Sequence, residues 1–474
     1  MCSLSRQLLE INLLSVGGGV NIETDSNLPP EKQQIVRDIC TGEFISDDYL
    51  LIPTIDGPPG TGKTFTATIV ANNYVREKLG QRRVIFLAYT NYALDRVKEE
   101  LDKFFDPKTV IRLRSDTRIK DWERGVIGCD IRLSNLTWNE QRIIREQPFL
   151  ICTPFTLSRL FRMRRSPREP REYIVVVDEF SQIDPATFLM ALNTLRQSPP
   201  DGIILFGDPL QLPVVTTQVE LLPNIVNFLG DLNPGTYEPY QLFYQFRMHE
   251  SICSIVNIVR RELSRFSRVS RGHELRSAET VKRKTLSERG YRWNRAAARV
   301  HGSFYEEILD PDNPVVIVDT TELSKDAQSP TGSWYNRDEA ELAVKIAKAA
   351  SDAFTTSKGE RIFPKIITPY SAQSLLIKSL MSDDRKNDVL TVYKAQGREY
   401  PFVVVSFVRN NEARDVGFLT TPYLRGQAYV AISRAQSKLI VLISEETFGV
   451  HPVFDAILRK VEGIEGCIKR KAPH

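Results

Sequence analysis

The sequence predicts an α/β protein with two domains, each built on a mostly parallel β-sheet covered by helices. Short β-branched runs, such as residues 84–87 and 403–408, alternate with amphipathic helical patterns, as in parallel sheets buried on both faces. The chain has 474 residues, more than one hydrophobic core usually holds. Residues 233–239 contain two prolines and a glycine, a composition typical of a linker between two halves of similar size.

The predicted strands follow one another along both halves. They are residues 84–87, 149–152, 173–177, 203–206, 315–318, 366–367, 403–408 and 439–443, and the clearest helical patterns are 67–78, 92–101 and 337–350. Several runs end directly at polar residues: Thr90, Thr153, Asp178, Asp208 and Thr368. Because ligands of such folds bind beyond the carboxyl ends of the strands, these residues mark the predicted functional edge.

The predicted domain boundaries follow from these patterns. We expect an N-terminal extension at residues 1–27, a first domain at 28–235, a second domain at 236–450 and a tail at 451–474. A polar, irregular insertion interrupts the first domain at about 106–148, and a basic insertion interrupts the second at about 260–311.

Composition excludes several classes of protein. The net charge of +4 is too small to single out a partner. The six cysteines lack metal-ligand spacing, which predicts reduced thiols, no structural zinc and an intracellular location, cytoplasmic or nuclear. No apolar run reaches the roughly 18–20 residues that cross a bilayer, so we expect no membrane association. Nothing in the sequence indicates a protein partner.

One motif predicts phosphate binding. Its residues fit the Gly-x-x-x-x-Gly-Lys-Thr spacing and stand between a strand-like and a helix-like run: Gly57, Pro58, Pro59, Gly60, Thr61, Gly62, Lys63 and Thr64. The glycines allow backbone N–H groups to surround phosphates at a helix N-terminus. Lys63 is expected to reach the terminal phosphates, and the Thr64 hydroxyl to hold Mg²⁺.

Two acids complete the predicted hydrolytic site. Asp178 and Glu179 end a buried apolar strand, where Asp178 would hold Mg²⁺ and Glu179 would orient and deprotonate the attacking water. Gln211 follows the next strand and is predicted to sense the γ-phosphate. Two acids at a strand end are otherwise unremarkable, so this interpretation depends on the phosphate loop.

Further motifs occur in order along the chain, at residues 89–95, 246–249, 368–373, 395–399 and 430–435. With the phosphate loop and Asp178-Glu179 they resemble a superfamily 1 helicase. Within that superfamily the similarity is greatest to the RNA helicase of nonsense-mediated decay and its relatives, including the helicase half of the Okazaki-fragment nuclease-helicase. Arg247-Met-His249 and Gln396-Gly-Arg-Glu399 are the most specific matches.

The resemblance implies two RecA-like P-loop NTPase domains that use ATP and Mg²⁺. Arg247 and Arg434 would be arginine fingers, which place a permanently charged guanidinium on the γ-phosphate. Phe246 would stack on adenine, and Gly397 and Glu399 would lie at the nucleotide. Gln33 is expected to hydrogen-bond adenine, although the neighbouring Gln34 is an alternative.

Single-stranded nucleic acid is the partner that the resemblance implies. The expected contacts are Thr90, Asn91, Cys152, Thr153, Pro369, Tyr370, Ser406 and Arg409. Small polar and aromatic groups at strand ends suit backbone contacts and base stacking, but core packing is nearly as reasonable for Tyr370. Contacts of this kind do not distinguish RNA from DNA.

The expected function is therefore an ATP-dependent helicase or translocase on single-stranded RNA or DNA, with 5′-to-3′ movement implied by the resemblance. The alternative is an ATP-gated clamp or remodelling factor that does not unwind processively. Arginines at 260–299 could grip a phosphate backbone, or could form a solvated helical face balanced by nearby glutamates. The sequence also departs from the family at Phe180, where a small residue is usual, and at Tyr393, where an acid is usual.

Overall fold

The computed structural model describes residues 28–41, 52–78, 80–196, 198, 200–213, 225–226, 228, 240–267, 272–421 and 425–473. The chain divides into two compact units, residues 1–209 with 213–243 (unit 1) and residues 210–212 with 244–474 (unit 2). The predicted linker at 233–239 and the predicted extension at 1–27 lie outside the described residues.

Unit 1 contains a nine-stranded sheet in the order β4-β5-β3-β6-β2-β7-β8-β1-β9. Every neighbouring pair is parallel except β4 with β5. The strands are β1 Thr54–Asp56, β2 Arg82–Leu87, β3 Val110–Arg114, β4 Lys120–Asp121, β5 Val126–Gly128, β6 Phe149–Cys152, β7 Glu172–Val177, β8 Gly202–Gly207 and β9 Tyr240–Gln241.

The helices of unit 1 follow the strands along the chain. They are α1 Pro30–Thr41, α2 Lys63–Glu77, α3 Asn91–Leu101, α4 Trp138–Glu146, α5 Pro154–Arg162 and α6 Pro185–Leu195. Residues of α1, α2 and α3 share one hydrophobic core with β1, β2, β6, β7 and β8. The continuous apolar strands are therefore buried, as the sequence pattern predicts.

Unit 2 contains a six-stranded parallel sheet in the order β18-β17-β19-β20-β13-β21. Its strands are β13 Val315–Asp319, β17 Lys365–Thr368, β18 Val389–Thr391, β19 Tyr400–Ser406, β20 Ala435–Ile443 and β21 Cys467–Lys471. Short pairs outside this sheet are β10 Tyr244–Gln245 with β11 Arg276–Ser277, β12 Arg292–Trp293 with β16 Phe354–Thr355, and β14 Ala327–Gln328 with β15 Trp334–Tyr335.

The helices of unit 2 cover both faces of its sheet and form two hydrophobic clusters. They are α7 Glu250–Ser264, α8 Glu279–Lys282, α9 Arg295–Val300, α10 Ser303–Leu309, α11 Arg337–Ala353, α12 Ser371–Ser379, α13 Val392–Ala395, α14 Gly426–Ile432, α15 Glu445–Phe448 and α16 Pro452–Lys460. The α/β fold with mostly parallel sheets is confirmed.

The segment at 106–148 is more regular than its polar sequence suggests. Its β3 pairs in parallel with β6, and β4 and β5 continue the same sheet. Thr137 and Glu140 form a reciprocal capping box at the start of α4. The expected irregularity is wrong, because four of the five residues of β3 are buried and the strand pairs with β6. That the segment is an insertion stays a prediction.

None of the described helices is long and apolar enough to cross a membrane. Within the same residues Cys129, Cys152, Cys253 and Cys467 are buried free thiols.

Candidate nucleotide and nucleic-acid sites

The phosphate loop joins the carboxyl end of β1 to the N-terminus of α2. Gly60 and Gly62 have φ angles of 81° and 79°, a left-handed conformation that glycine adopts without steric cost. The Thr61 hydroxyl donates to the carbonyl of Pro58 at 2.7 Å. These features hold the loop so that the backbone N–H groups at the start of α2 remain available to an anion.

The Lys63 side chain lies folded across Gly57. Its Nζ donates to the Gly57 carbonyl at 2.7 Å and lies 3.5 Å from Oε1 of Glu179. A β-carbon at Gly57 would lie only 2.2 Å from Cγ of Lys63. The absence of a side chain at Gly57 is therefore what allows Lys63 to occupy this position.

The residues predicted to hold a metal ion and activate water lie beside the loop. The Thr64 hydroxyl donates to Oδ2 of Asp178 at 2.8 Å, although 114 residues separate them. Burial, together with the nearby Glu179 carboxylate, raises the pKa of Asp178 to about 6, and Lys63 opposes this shift. A cation at this position would relieve that unfavourable burial of charge.

Glu179 has the backbone geometry of a constrained site residue. Its φ of 54° is left-handed, and its N–H donates to Oδ1 of Asp178 at 3.0 Å. Oε2 of Glu179 is buried and has no hydrogen-bond partner among the described residues. A buried carboxylate oxygen without a donor can accept a proton from a bound water molecule.

The Phe180 ring fits into the core because Gly207, on the next strand, has no side chain. The ring is fully buried, and a β-carbon at Gly207 would lie 2.4 Å from its Cδ1. Gly207 also accepts a hydrogen bond from the N–H of Gly57 at 2.7 Å. The large residue at position 180 therefore packs on the strand that supports the phosphate loop.

The glutamine predicted to bind adenine is engaged elsewhere. Nε2 of Gln33 donates to the Leu28 carbonyl at 2.7 Å, which fastens the start of α1, and Gln34 is exposed. Lys32 instead faces the phosphate loop: its Nζ would lie 2.8 Å from a β-carbon at Gly62 and lies 5.7 Å from the Phe65 ring centre. Burial lowers the pKa of Lys32 to about 8, and Glu31 partly offsets this. Sequence reasoning missed Lys32, whose only signal was its place beside Gln33.

Three predicted nucleotide-site residues converge within unit 2. Nε of Arg247 donates to Oε2 of Glu399 at 2.6 Å, and its Nη1 donates to the Ser433 carbonyl at 3.2 Å. Arg434 is 2% exposed, and its guanidinium donates to the Val430 and Arg398 carbonyls and to the Ser433 hydroxyl. Arg247 and Arg434 thus meet at Ser433.

The other predicted nucleotide contacts of unit 2 are less constrained. Phe246 is 41% exposed beside Arg247, and Gly397 has a left-handed φ of 79° in the turn before Glu399. Gln211 is buried in the short stretch that belongs to unit 2. Their roles at the nucleotide remain predictions.

The carboxyl edge of the unit 1 sheet brings four predicted nucleic-acid contacts to two adjacent strands. Leu87 of β2 and Cys152 of β6 are partners in register, and the next element after each strand is a helix, α3 and α5. Thr90 caps α3 by accepting from the Ala93 N–H, and Thr153 caps α5 by accepting from the Thr156 N–H. The free N–H groups of two helix N-termini therefore lie along this edge.

Exposed aromatic side chains, which sequence reasoning missed, accompany these caps. Tyr89 and Phe155 are 38% and 52% exposed, and their ring centres lie 6.2 Å apart. Asn91 is exposed, and its side-chain Oδ1 accepts from Nη2 of Arg112 at 2.5 Å. The signal was present, since one aromatic precedes Thr90 and the other follows Thr153 by two positions.

Four residues that are predicted to contact nucleic acid are buried. In this conformation their side chains are not accessible to a nucleic-acid strand. Cys152 and Ser406 are fully buried because they end central strands with their side chains pointing inward. Tyr370 is 2% exposed, since its ring packs on Phe418 at 4.8 Å and its hydroxyl donates to the Val416 carbonyl. Tyr370 therefore packs in the core in this conformation, and its contact with nucleic acid stays a prediction.

Arg409 is the fourth of these residues, and its guanidinium is held by contacts with other residues of unit 2. Its Nε donates to Oδ2 of Asp326 at 2.8 Å, and its guanidinium lies 4.0 Å from the Trp334 ring centre. Ser406 donates to Oε1 of Glu339, whose pKa burial raises to about 7. Among the unit 2 candidates, Pro369 remains half-buried at the end of β17.

The arginine-rich segment at 260–299 does not have a single role. Arg260 is fully buried on α7 and donates to the Tyr429 hydroxyl at 2.6 Å. Arg295 and Arg299 are exposed and pair with Glu306. Arg268 and Arg271 lie outside the described residues. For Arg260 both the backbone-gripping and the solvated-face interpretations are wrong.

Two family models match the chain, one in each half. Both carry the description "AAA domain", and they match residues 50–217 and 228–446.

Curated relatives extend the same similarity across both units. The chain is 27% identical over 426 residues to the mouse DNA replication ATP-dependent helicase/nuclease DNA2, a match that covers 87% of the chain and 36% of that protein. It is 24% identical over 454 residues to the Regulator of nonsense transcripts 1 homolog of Arabidopsis thaliana, covering 86% and 32%. The chain thus spans about a third of the length of these relatives.

Among solved structures, the crystal structure of Arterivirus nonstructural protein 10 (helicase) matches with a TM-score of 0.41 and 14% identity, covering 83% of this chain and 59% of that one. The two family models span the phosphate loop, Asp178-Glu179 and the Arg247 and Arg434 motifs. The two curated relatives match 87% and 86% of the chain. The chain belongs to the superfamily 1 helicases.

Proposed function

We propose that the protein is a nucleic-acid-stimulated ATPase that moves along single-stranded RNA or DNA, in the 5′-to-3′ direction. The observation that carries this proposal is the assembly of Lys63, Thr64, Asp178 and Glu179 in unit 1, with the orphaned Oε2 of Glu179 beside Lys63. The four buried free thiols support a reducing compartment, the cytoplasm or nucleus.

Each residue of this assembly has a role in hydrolysis. Lys63 and the N-terminus of α2 bind the phosphates, and Glu179 takes a proton from the attacking water. Thr64 and Asp178 fit Mg²⁺, because a hydroxyl and a carboxylate oxygen 2.8 Å apart are hard ligands that can share one ion. Such an ion would neutralise developing phosphate charge. Among the described residues no three acidic, His or Cys side chains form a metal cluster, in keeping with an ion that phosphate and water also ligate.

The arginines of unit 2 are proposed to couple hydrolysis to movement. Arg247 and Arg434 would bind the γ-phosphate, Gln211 would sense it, and Phe246, Gly397 and Glu399 would contact the rest of the nucleotide. Their convergence at Ser433 supports a joint role. Arg247 would first have to leave Glu399, and Arg434 its carbonyl acceptors, so nucleotide binding would rearrange this part of unit 2.

The proposed nucleic-acid surface of unit 1 consists of Thr90, Asn91, Thr153, Tyr89 and Phe155. Pro369 is a separate candidate contact in unit 2. Helix N-termini supply donors for phosphate oxygens, and the exposed rings supply stacking platforms. Neither group recognises the 2′-hydroxyl, so the surface is compatible with RNA and with DNA.

The test of function is ATP hydrolysis measured with single-stranded RNA and single-stranded DNA side by side, followed by a strand-displacement assay. We expect stimulation by at least one strand and ATP-dependent displacement. Stimulation without displacement would identify an ATP-gated clamp instead, and hydrolysis that neither strand alters would contradict the proposal.

Replacing both exposed aromatics should weaken strand binding. We expect the Tyr89→Ala/Phe155→Ala variant to lose at least roughly tenfold in affinity for a fluorescent single strand, since stacking contributes about 1–3 kcal/mol per base. The matched control is Trp138→Ala, an aromatic on α4 that is 49% exposed. Equal affinity of the two variants would remove Tyr89 and Phe155 from the proposed surface.

Lys32 should make ATP binding depend on pH. With a pKa of about 8, its ammonium is present at pH 7 and largely lost by pH 9, so a contact to a phosphate weakens as the pH rises. We expect Lys32→Met to lower ATP affinity roughly tenfold at pH 7 and much less at pH 9. Calorimetric titration at both pH values tests this, with Lys78→Met as control because Lys78 is exposed at the far end of α2. An affinity ratio that does not change with pH would rule the contact out.

A further inference from the structure

A basic cavity lies in unit 1, at the opposite edge of the sheet from the phosphate loop. Its volume is about 470 Å³, and its walls include Arg83, Arg145, Arg165, Glu169, Arg171 and Tyr173. Arg83 and Tyr173 are the second residues of β2 and β7 and are partners in register. Because β1, β2 and β7 run parallel, these amino-terminal positions lie roughly 15 Å along the strands from the carboxyl edge.

Buried positive charge exceeds negative charge in this cavity. Arg83 and Arg145 are each 3% exposed, and both pair with the single carboxylate of Glu169 at distances of 2.8–3.1 Å. Arg165 and Arg171 are exposed at the cavity and add two further positive charges. Burying a guanidinium is costly unless an anion compensates it, and one carboxylate cannot compensate two.

Arg83 retains an unused donor. Its Nε donates to the Gln147 carbonyl at 3.1 Å and its Nη1 to Glu169, but its Nη2 is buried without a partner among the described residues. Burial lowers the pKa of Arg83 to about 10, and Arg145 adds to this effect while Glu169 opposes it. Both facts indicate that the guanidinium lacks part of its anionic environment.

We propose that this cavity binds a phosphate group, either as inorganic phosphate or as the monoester of a small phosphorylated molecule. A guanidinium offers parallel N–H donors that match phosphate oxygens, and the exposed Arg165 and Arg171 attract the anion toward Arg83. The cavity is within the size range of small-molecule sites, so it can hold more than a bare phosphate. The site is independent of the proposed ATPase site, because no residue is shared.

The experiment uses the Lys63→Ala protein, so that the phosphate loop binds the probe more weakly. Calorimetric titration with inorganic phosphate and with ribose 5-phosphate, at constant ionic strength, should show saturable binding. If ribose 5-phosphate binds more tightly than inorganic phosphate by threefold or more, the ligand is a monoester. A smaller difference, or weaker binding of ribose 5-phosphate, identifies free phosphate. If neither probe shows saturable binding up to about 10 mM, the proposal is overturned.

Two further variants locate the site. Adding Arg83→Gln should lower the affinity at least tenfold, and adding Arg165→Ala with Arg171→Ala should lower it several-fold without affecting the core, because both side chains are exposed. The control adds Arg118→Ala with Arg124→Ala, whose side chains are 88% and 83% exposed in the same unit. If the Arg165/Arg171 variant binds phosphate as the control does, the cavity is not the site, even where Arg83→Gln fails to fold.

Discussion

Glu179→Gln is expected to reduce ATP turnover at least roughly 100-fold while leaving ATP binding intact. A positioned general base contributes about 10²–10⁴ in rate, and the amide cannot accept the proton from water. The substitution keeps the size of the side chain and removes a negative charge 3.5 Å from the Lys63 ammonium. Lys63 then interacts with the phosphates without competition, so the affinity for ATP should be unchanged or higher.

The measurement pairs steady-state hydrolysis, with a saturating single strand, with calorimetric binding of ATP. Glu172→Gln is the matched control, because Glu172 begins the same strand, is 39% exposed and pairs with Lys78 and Arg82 at the opposite edge. Its turnover should be close to that of the wild type. Near wild-type hydrolysis by the Glu179→Gln protein would mean that another group activates the water.

The regular fold could be predicted because buried parallel strands have a distinctive sequence. Residues 149–152 form β6 with the predicted bounds, and 84–87 lie within Arg82–Leu87. The helix predicted at 67–78 begins earlier, at Lys63, because the phosphate loop itself provides its N-terminus. Contact between Thr64 and Asp178 follows from the same logic, since both lie at the carboxyl edge of one sheet.

Side-chain direction could not be predicted from motif position alone. Cys152 and Thr153 are consecutive, yet the first is fully buried and the second caps a helix, because Cys152 ends a strand that is buried along its whole length and Thr153 lies outside that strand. Arg409 belongs to a polar motif, but its Nε donates a hydrogen bond to Asp326, which lies 83 positions earlier in the sequence. Contacts between residues that are far apart in the sequence produce no periodic pattern from which they could be predicted.

Substitutions in a packed site can also compensate one another in a way that spacing does not reveal. Phe180 looked like a departure from the family, but its ring occupies the space that the missing side chain of Gly207 leaves. At the start of α1, the spacing of the sequence likewise does not reveal the directions of Lys32 and Gln33. Gln33 donates to the Leu28 carbonyl, and the neighbouring Lys32 faces the phosphate loop. The contact of Gln33 with adenine stays a prediction.

Gly57→Ala is expected to lower ATP affinity by roughly 10- to 100-fold without unfolding unit 1. The new methyl group would lie 2.2 Å and 2.8 Å from Cγ and Cδ of Lys63, closer than carbon atoms approach without bonding, so the lysine must move away. A charge-assisted hydrogen bond contributes about 1.5–3 kcal/mol, and about 1.4 kcal/mol corresponds to a factor of ten. The φ of Gly57 is not in the left-handed region, so the effect does not come from backbone strain.

A double-mutant cycle separates this mechanism from general damage to the loop. If Gly57→Ala acts by displacing Lys63, it should add little to the affinity loss of Lys63→Ala, because the displaced side chain is already absent. Gly202→Ala is the control, since its β-carbon would have only Ile174 Cγ2 nearby, at 3.7 Å. Additive losses in the cycle would show that the methyl group disturbs the loop backbone or Leu242, which lies 3.1 Å from the same β-carbon position. The Lys63 position would then depend less on Gly57 than the geometry indicates.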